Sequence, residues 1–249
     1  MDKTTIVMVI AIVLVVAVVI VFSFLILHKP EPAEHIEKKY MGVEKIEVGE
    51  RIKLPEPIYK NTISVEEALS KRRSIRTYSG ENLTIEEVSQ LLWAAQGITS
   101  PWGGRTAPSA GATYPLTLYV AVGDKGVTGL SSGVYEYIPR THSLVVVKEG
   151  DFRQRIAAAC LNQLFIQEAP VTIVIAAEYE KTTSRYGERG KRYVHMEAGH
   201  VGENIYLQAV ALELGTVVVG AFQDIDLKQV LDLPEELVPL YVMPVGHPD

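Results

Sequence analysis

The stretch Val171–Ala177, rich in β-branched residues, is the feature that most limits what this chain can fold into. Such a stretch is typical of a strand buried at the centre of a sheet. Amphipathic helical patterns and further apolar strand patterns alternate around it, between Ser64 and Val245. Helices that alternate with apolar strands predict a sheet layered by helices, so the expected fold class is α+β or α/β.

Several of these elements have start and stop signals of their own. Ser64–Glu67 and Thr84–Glu87 have the spacing of a capping box, and Gly97 and Gly215 are placed to end helices. Asp151 is a candidate cap for a helix of its own. Helices are predicted over 64–72, 84–97, 151–159, 192–214 and 226–231. Strands are predicted over 116–122, 133–138, 144–147, 171–177, 216–219 and 237–245.

The N-terminal segment predicts a separate unit. Residues 6–27 are apolar apart from Ser23, and a helix of about 20 residues spans the hydrocarbon core of a bilayer. A secretory signal would have a shorter apolar region and a small-x-small cleavage site. We therefore expect a single-pass membrane protein with a retained anchor, and the lysines after it favour a cytoplasmic catalytic domain. The predicted division is a transmembrane anchor (1–28), a charged, proline-containing tether and arm (29–60) and a globular domain (61–249).

Composition excludes several classes of partner. The net charge of −6, without a basic stretch interleaved with aromatic residues, makes nucleic acid an unsuitable partner. Cys160 is the single cysteine, which excludes an intrachain disulfide and a cysteine-based metal cluster. We expect no metal site.

A cluster of positive charge, Lys71–Arg76, follows the first predicted helix; we call it the basic loop. It brings three guanidinium groups together with the hydroxyl of Ser74, and arginine suits a phosphate because its planar fork offers paired donors. A solvated basic face is the alternative. Pro108–Gly111, called the cofactor segment below, adds a second point of close backbone approach. Together the two segments predict a flat, phosphate-bearing cofactor that is held from two sides.

These segments belong to an ordered set that resembles the nitroreductase-like FMN-dependent oxidoreductases, and most closely their SagB-type dehydrogenase branch, the thiazole/oxazole-forming oxidases. The stretches that carry the resemblance are 64–78, 83–98, 105–115, 133–137, 192–200, 215–222 and 244–246. The resemblance implies a nitroreductase-like fold, with a central, mostly antiparallel sheet flanked by helices and preceded here by the transmembrane helix. It also implies bound FMN, a homodimer and a reductant such as NAD(P)H.

The resemblance assigns three groups of residues to FMN. The basic loop would hold the phosphate and ring, the cofactor segment would lie against the isoalloxazine of the other subunit, and a later strand would approach the reactive edge of the flavin. Sheet core is the alternative for the valines of that strand. The residues are Arg72, Arg73, Ser74 and Arg76; Pro108, Ser109, Ala110 and Gly111; and Gly215, Val218, Val219 and Gly220.

The candidates for proton handling are Tyr186, Lys191 and Tyr193, with Arg192 beside them, and ordinary packing is the alternative for the tyrosines. The expected function is hydride transfer between a donor such as NAD(P)H and a small organic, azoline-type or peptide-derived substrate. A non-catalytic, membrane-tethered flavin-binding or sensing module is the alternative. Ala112 stands where the wider nitroreductase family often has Asn, and this departure suits the SagB-like branch.

Overall fold

One seven-stranded sheet organises residues 49–249, which are the residues that this computed structural model describes. Its strand ladders are antiparallel and follow the order β1-β4-β3-β2-β5-β7-β6, so the prediction of a central, mostly antiparallel sheet is confirmed. The strands are β1 (Arg51–Lys53), β2 (Leu116–Val122), β3 (Gly133–Ile138), β4 (Ser143–Glu149), β5 (Val171–Glu178), β6 (Gly215–Thr216) and β7 (Leu237–Gly246).

Helices cover both faces of the sheet. In chain order they are α1 (Val65–Lys71), α2 (Ile85–Gln96), α3 (Arg153–Ala159), α4 (Phe165–Glu168), α5 (Glu180–Tyr186), α6 (Arg189–Ala211) and α7 (Asp224–Leu231), with a short 3₁₀ turn at Ala110–Ala112. Helices α2 and α6 contribute to the core on one face, whereas α3 and α7 contribute to the core on the other.

Strand β5 is central, as its sequence predicts. It pairs with β2 on one side and with β7 on the other, and Val171–Ala177 is buried throughout. Ile173 and Ile175 pack in the core beneath α2 and α6, while Val174 and Ala176 pack in the core beneath α3 and α7. Because successive side chains of a strand point to opposite faces of the sheet, this one segment contributes to both cores.

The two predicted capping boxes differ in detail. The Thr84 hydroxyl accepts from the Glu87 N–H while the Glu87 carboxylate accepts from the Thr84 N–H, which is a complete box. The Ser64 hydroxyl accepts from the Glu67 N–H, but the Glu67 carboxylate forms an ion pair with Lys71 at 2.6 Å.

Three helices begin or end at other residues than predicted, and one of them, α7, begins at Asp224 rather than at Asp226. Helix α6 runs from Arg189 to Ala211 rather than over 192–214, and α5 precedes it as an additional helix. Helix α3 begins at Arg153 after Phe152, and the Asp151 carboxylate accepts from the Arg153 N–H instead of acting as the N-cap itself.

The predicted strand 216–219 is shortened to Gly215–Thr216, with Val219 forming an isolated bridge to Val242. The physical reason lies at Val218, whose N–H donates to the Tyr206 hydroxyl of α6 at 2.8 Å. The Val218 N–H therefore bonds to a side chain instead of to a neighbouring strand, and this stretch does not continue the regular ladder.

The expectation of a single-pass membrane protein is corrected. Among residues 49–249, no helix is long and apolar enough to cross a membrane. The longest of them, α6, carries Arg189, Lys191, Arg192 and Glu203 on exposed positions and is therefore amphipathic. The predicted anchor (1–28) and the first part of the tether lie outside the described residues.

Candidate active site

The basic loop begins where α1 ends, at Arg72. The guanidinium of Arg72 lies 5.1 Å from the ring centroid of Tyr206, and that of Arg76 lies 5.8 Å from the ring of Phe165. Arg73 donates to the carbonyls of Ser70 and Arg72. Within residues 49–249, none of the three guanidinium groups forms an ion pair with a carboxylate, so their charge stays available to an anion.

Tyr206 connects the basic loop to the segment after β6. Its hydroxyl lies 3.1 Å from the Ser74 hydroxyl and accepts from the Val218 N–H at 2.8 Å. Arg72 stacks on the same ring. Two of the three segments that the sequence assigned to the cofactor are therefore joined by one buried side chain of α6.

A backbone contact brings the same two segments together. The Ile75 N–H donates to the Thr216 carbonyl at 3.0 Å, and Ser74 and Thr216 form a parallel bridge. This approach requires glycine at position 215, because a Cβ there would lie 2.6 Å from Cγ2 of Ile75.

The remaining residues of this strand differ in their environment. Val219 is buried, and its N–H and C=O both bond to Val242, as expected for a valine of a sheet core. Val218 is partly exposed, with its N–H on Tyr206. Gly220 is exposed, and a Cβ there would find its nearest neighbour, a ring atom of Tyr241, at 3.9 Å. Gly220 therefore leaves open space on its side-chain face.

The cofactor segment forms a tight turn. The Ser109 hydroxyl accepts from the Tyr114 N–H at 2.9 Å, and the Gly111 carbonyl accepts from the Arg185 guanidinium at 3.1 Å. Gly111, Ala112 and Tyr114 have φ values of 61°, 53° and 44°. Positive φ is strained for Ala and Tyr, and such strain concentrates at functional sites.

The predicted proton-handling residues separate into two groups. Tyr186 and Tyr193 pack edge to face with their centroids 5.2 Å apart, and a Cβ on Gly111 would lie 2.5 Å from the Tyr186 hydroxyl. These tyrosines therefore lie beside the cofactor segment. Lys191 instead forms an exposed ion pair with Glu188 at 2.7 Å.

The two halves of the predicted site lie at different positions along α6. The cofactor segment lies close to Tyr186 of α5, which packs on Tyr193 near the beginning of α6, whereas the basic loop contacts Tyr206 near the end of α6. Nine residues separate Glu197, which lies beside Ser109 of the cofactor segment, from Tyr206, which corresponds to about 14 Å of helix. One subunit thus keeps the two halves apart.

A buried carboxylate, Glu197, lies between these positions on α6 and is 2% exposed. Burial raises the pKa of Glu197 to about 7, opposed by a hydrogen bond from Ser109 and by the charge of Arg105. The guanidinium of Arg105 donates to the Gln96 side-chain carbonyl at 2.6 Å and lies 4.5 Å from the ring centroid of Tyr114. Ser109 of the cofactor segment is therefore in contact with a titratable group.

The residues present fit FMN. The basic loop offers three guanidinium groups and a hydroxyl, which is a suitable donor set for a phosphate. Gly215 permits the close backbone contact that positions this loop, and Gly220, five residues later, leaves open space on its side-chain face. The sequence-based predictions did not include Tyr206 or Glu197. Tyr206 could have been found, because it lies beside the apolar stripe of a long helix and a buried Tyr hydroxyl needs a hydrogen-bond partner.

Replacing Tyr206 by phenylalanine is expected to lower the free energy of unfolding by about 1–3 kcal/mol, because the Val218 N–H loses its acceptor. Urea unfolding of the purified protein measures the change. Tyr241→Phe is the matched control, since the Tyr241 hydroxyl has no hydrogen bond within the described residues. Equal stability of both variants with the parent would contradict the role given to Tyr206.

Comparison with known proteins identifies the family. Residues 69–247 match the model of the nitroreductase family, and the chain therefore belongs to this family. It is 51% identical over 185 residues to a protein of Methanocaldococcus jannaschii assigned to the nitroreductases, a match that covers 74% of this chain and 91% of that protein. Oxidoreductase chemistry with a flavin is typical of the family.

Two further relatives agree with this. The chain is 24% identical over 132 residues to the NADPH-flavin oxidoreductase of Vibrio harveyi, covering 50% of this chain and 53% of that protein. A crystal structure from Anabaena variabilis, also assigned to the nitroreductases, superposes with a TM-score of 0.71 at 31% identity. It covers 81% of this chain, which spans 42% of that longer chain. The nitroreductase-like fold expected from the sequence is thus confirmed.

Proposed function

We propose that this protein is an FMN-dependent oxidoreductase that transfers hydride between a donor such as NADH or NADPH and a small organic substrate. The observation that carries the proposal is the junction at Tyr206. There the basic loop, with guanidinium groups that have no carboxylate partner among the described residues, meets the segment after β6. A loop that merely covered the surface would not need this buried connection.

The residues of the site have separate tasks in this proposal. When bound, FMN supplies hydride transfer at its ring. Arg72, Arg76 and Ser74 bind its phosphate side, while Tyr206 fixes Ser74 and the backbone at Val218 in one geometry. The cofactor segment would hold the ring and exclude water from it, and Tyr186 and Tyr193, which lie beside that segment, would orient a substrate or hold a proton.

The substrate class is proposed from the branch that the sequence resembles. Ala112 occupies the position where nitroreductases often carry Asn, and the SagB-like set of motifs favours an azoline-type or peptide-derived substrate over a nitroaromatic one. The φ of 53° at Ala112 lies in a region that Asn tolerates better than Ala, so the backbone conformation does not by itself account for Ala at this position.

A homodimer completes the site in this proposal. Because about 14 Å of helix separates Glu197, beside the cofactor segment, from Tyr206, beside the basic loop, in one subunit, the cofactor segment of one subunit would meet the basic loop of another. An exposed stripe along α6 supports such an interface. Its members recur at helical spacing and include Met196, which is 51% exposed; the stripe is Arg192, Met196, Gly199 and Glu203.

Gly199→Leu is expected to weaken the dimer. A Cβ at Gly199 would meet nothing within 4 Å in the subunit, so an isolated subunit would gain helix propensity of up to about 1 kcal/mol. Light scattering and thermal unfolding together measure the outcome. A monomeric parent, or a variant that is more stable and still dimeric, would contradict an interface at this stripe.

The proposed function is tested with the purified full chain. We expect FMN to be bound at one per subunit, to be reduced by NADH or NADPH and to be reoxidised by an added acceptor. A protein that takes up no FMN would overturn the proposal. A protein that binds FMN but shows no reduction with any donor would favour the alternative, a flavin-binding module without turnover.

A further inference from the structure

An unusual concentration of unpartnered polar atoms lies behind the cofactor segment. Within residues 49–249, five buried side-chain nitrogen or oxygen atoms have no hydrogen-bond partner, and three of them belong to Gln96, Arg105 and Glu197. Arg105 is bonded to Gln96 and acts electrostatically on Glu197, so the three form one cluster. Native structures satisfy most buried polar groups, and exceptions point to stored strain or function.

The cluster is directly coupled to the turn that is assigned to the flavin ring. The Ser109 hydroxyl lies close enough to Glu197 to lower the pKa of its carboxyl, and the same hydroxyl accepts from the Tyr114 N–H at 2.9 Å. Arg105 stacks on the ring of Tyr114 at 4.5 Å, and the Arg105 N–H lies 3.3 Å from the Tyr114 hydroxyl. Glu197 and Arg105 therefore hold both ends of the strained stretch from Ser109 to Tyr114.

We propose that Glu197 is a positioning residue for the cofactor segment, and that loss or gain of its proton changes how firmly this segment holds the flavin ring. The inference deepens the proposed function and rests on it for the identity of the ligand. The change in protonation of Glu197 is a property of the protein alone and does not depend on which ligand binds.

The geometry defines what each protonation state does. As a carboxylate, Glu197 accepts from the Ser109 hydroxyl and attracts the Arg105 guanidinium, so the turn is held at both ends. As a neutral acid it loses the attraction to Arg105. We therefore expect the carboxylate form to favour flavin binding. The other charged or titratable groups around the cluster are Tyr114 from the same loop, Tyr137 from β3, Arg185 and Tyr186 from α5, and Tyr193 one turn earlier on α6.

The direction of the pH effect on stability follows from burial. Burial raises the pKa of Glu197 from 4.5 to about 7. The folded chain therefore retains a proton that the unfolded chain has released, and the free energy of unfolding falls as the pH rises from about 4.5 to about 7. Above that range the contribution levels off.

The first test uses flavin-free full-length protein. Between about pH 5 and about pH 8, the Tm of the parent should fall by roughly 5–10 °C more than the Tm of Glu197→Gln, which cannot titrate. Glu86→Gln is the matched control, because it removes the same charge from an exposed position of α2, outside the cluster and outside the proposed dimer stripe. An unchanged pH slope in Glu197→Gln would overturn the protonation step.

The second test measures FMN affinity against pH in the same three proteins. The FMN phosphate itself titrates near pH 6, so the readout is the difference between Glu197→Gln and Glu86→Gln. We expect the affinity of the control to rise several-fold between about pH 6.5 and about pH 8, and that of Glu197→Gln to rise less. Parallel curves would overturn the inference, whereas absence of FMN binding in the parent would overturn the proposed function instead.

A double-mutant comparison tests the route through Ser109. If Glu197 acts by holding that hydroxyl, the effects of Glu197→Gln and Ser109→Ala on FMN affinity should not add in the double variant. Additive effects would show that the two residues act separately and would overturn the positioning role. If Glu197→Gln fails to fold, Glu197→Asp, which keeps the titrating group, serves in its place and should preserve the pH slope.

Discussion

Replacing both Arg72 and Arg76 by alanine is expected to weaken FMN binding by about 100-fold or more. A hydrogen bond to a charged group contributes roughly 1.5–3 kcal/mol, and each guanidinium lies free of carboxylate partners among the described residues. Fluorescence titration of flavin-free protein measures the affinity. Arg51→Ala is the matched control, because Arg51 lies on β1, at the opposite edge of the sheet from β6, and its guanidinium bonds to Thr141.

Salt dependence separates a phosphate contact from a general loss of structure. Added salt screens charge interactions at the surface, so the affinity of the parent should fall with ionic strength, and that of the double variant should fall less. Equal affinity in the parent and the double variant would mean that the basic loop is a solvated surface. An equally large loss in Arg51→Ala would mean that the effect is not local.

The sheet was predictable because its strands carry their own patterns. Val171–Ala177 is apolar on both faces, and it lies in the centre where both faces are covered. Thr84–Glu87 predicts a helix start through local hydrogen bonds, and the full box forms. Such signals depend on neighbouring residues alone, which is why the sequence carries them.

The shape of the strand 216–219 was not predictable in the same way. Its apolar residues favour a regular strand, but Tyr206 and Ile75, which are distant in sequence, take over its hydrogen bonds. The same holds for the shifted boundaries of α6, where Glu188 precedes the helix without a capping hydrogen bond from its side chain.

The candidate site was predictable as a set of segments but not as a geometry. Motifs identified the basic loop and the cofactor segment, yet the sequence gives no distance between them. Glu197 lies within the motif 192–200, but its burial beside Ser109 and Arg105 depends on tertiary packing. A charged residue in a helix usually lies at an exposed position, whereas Glu197 is buried.

Gly215→Ala is expected to disrupt the site although it adds only one methyl group. The added Cβ would lie 2.6 Å from Cγ2 and 2.8 Å from Cβ of Ile75, whose branched side chain is stiff. The basic loop must then move away from β6, and overpacking of this kind costs about 1–3 kcal/mol. We expect a lower free energy of unfolding by urea titration together with loss of FMN binding.

Gly220→Ala provides the contrast. Its Cβ would meet nothing closer than 3.9 Å in the protein, so we expect the stability to stay within about 0.5 kcal/mol of the parent. If the backbone at Gly220 approaches the flavin, the methyl group should nevertheless weaken FMN binding. A stability loss in Gly215→Ala without any effect of Gly220→Ala on FMN would restrict the cofactor contact to the basic loop. Weakened binding in the stable Gly220→Ala protein would place the flavin ring next to Gly220. The added methyl group contacts no protein atom closely enough to weaken binding in another way.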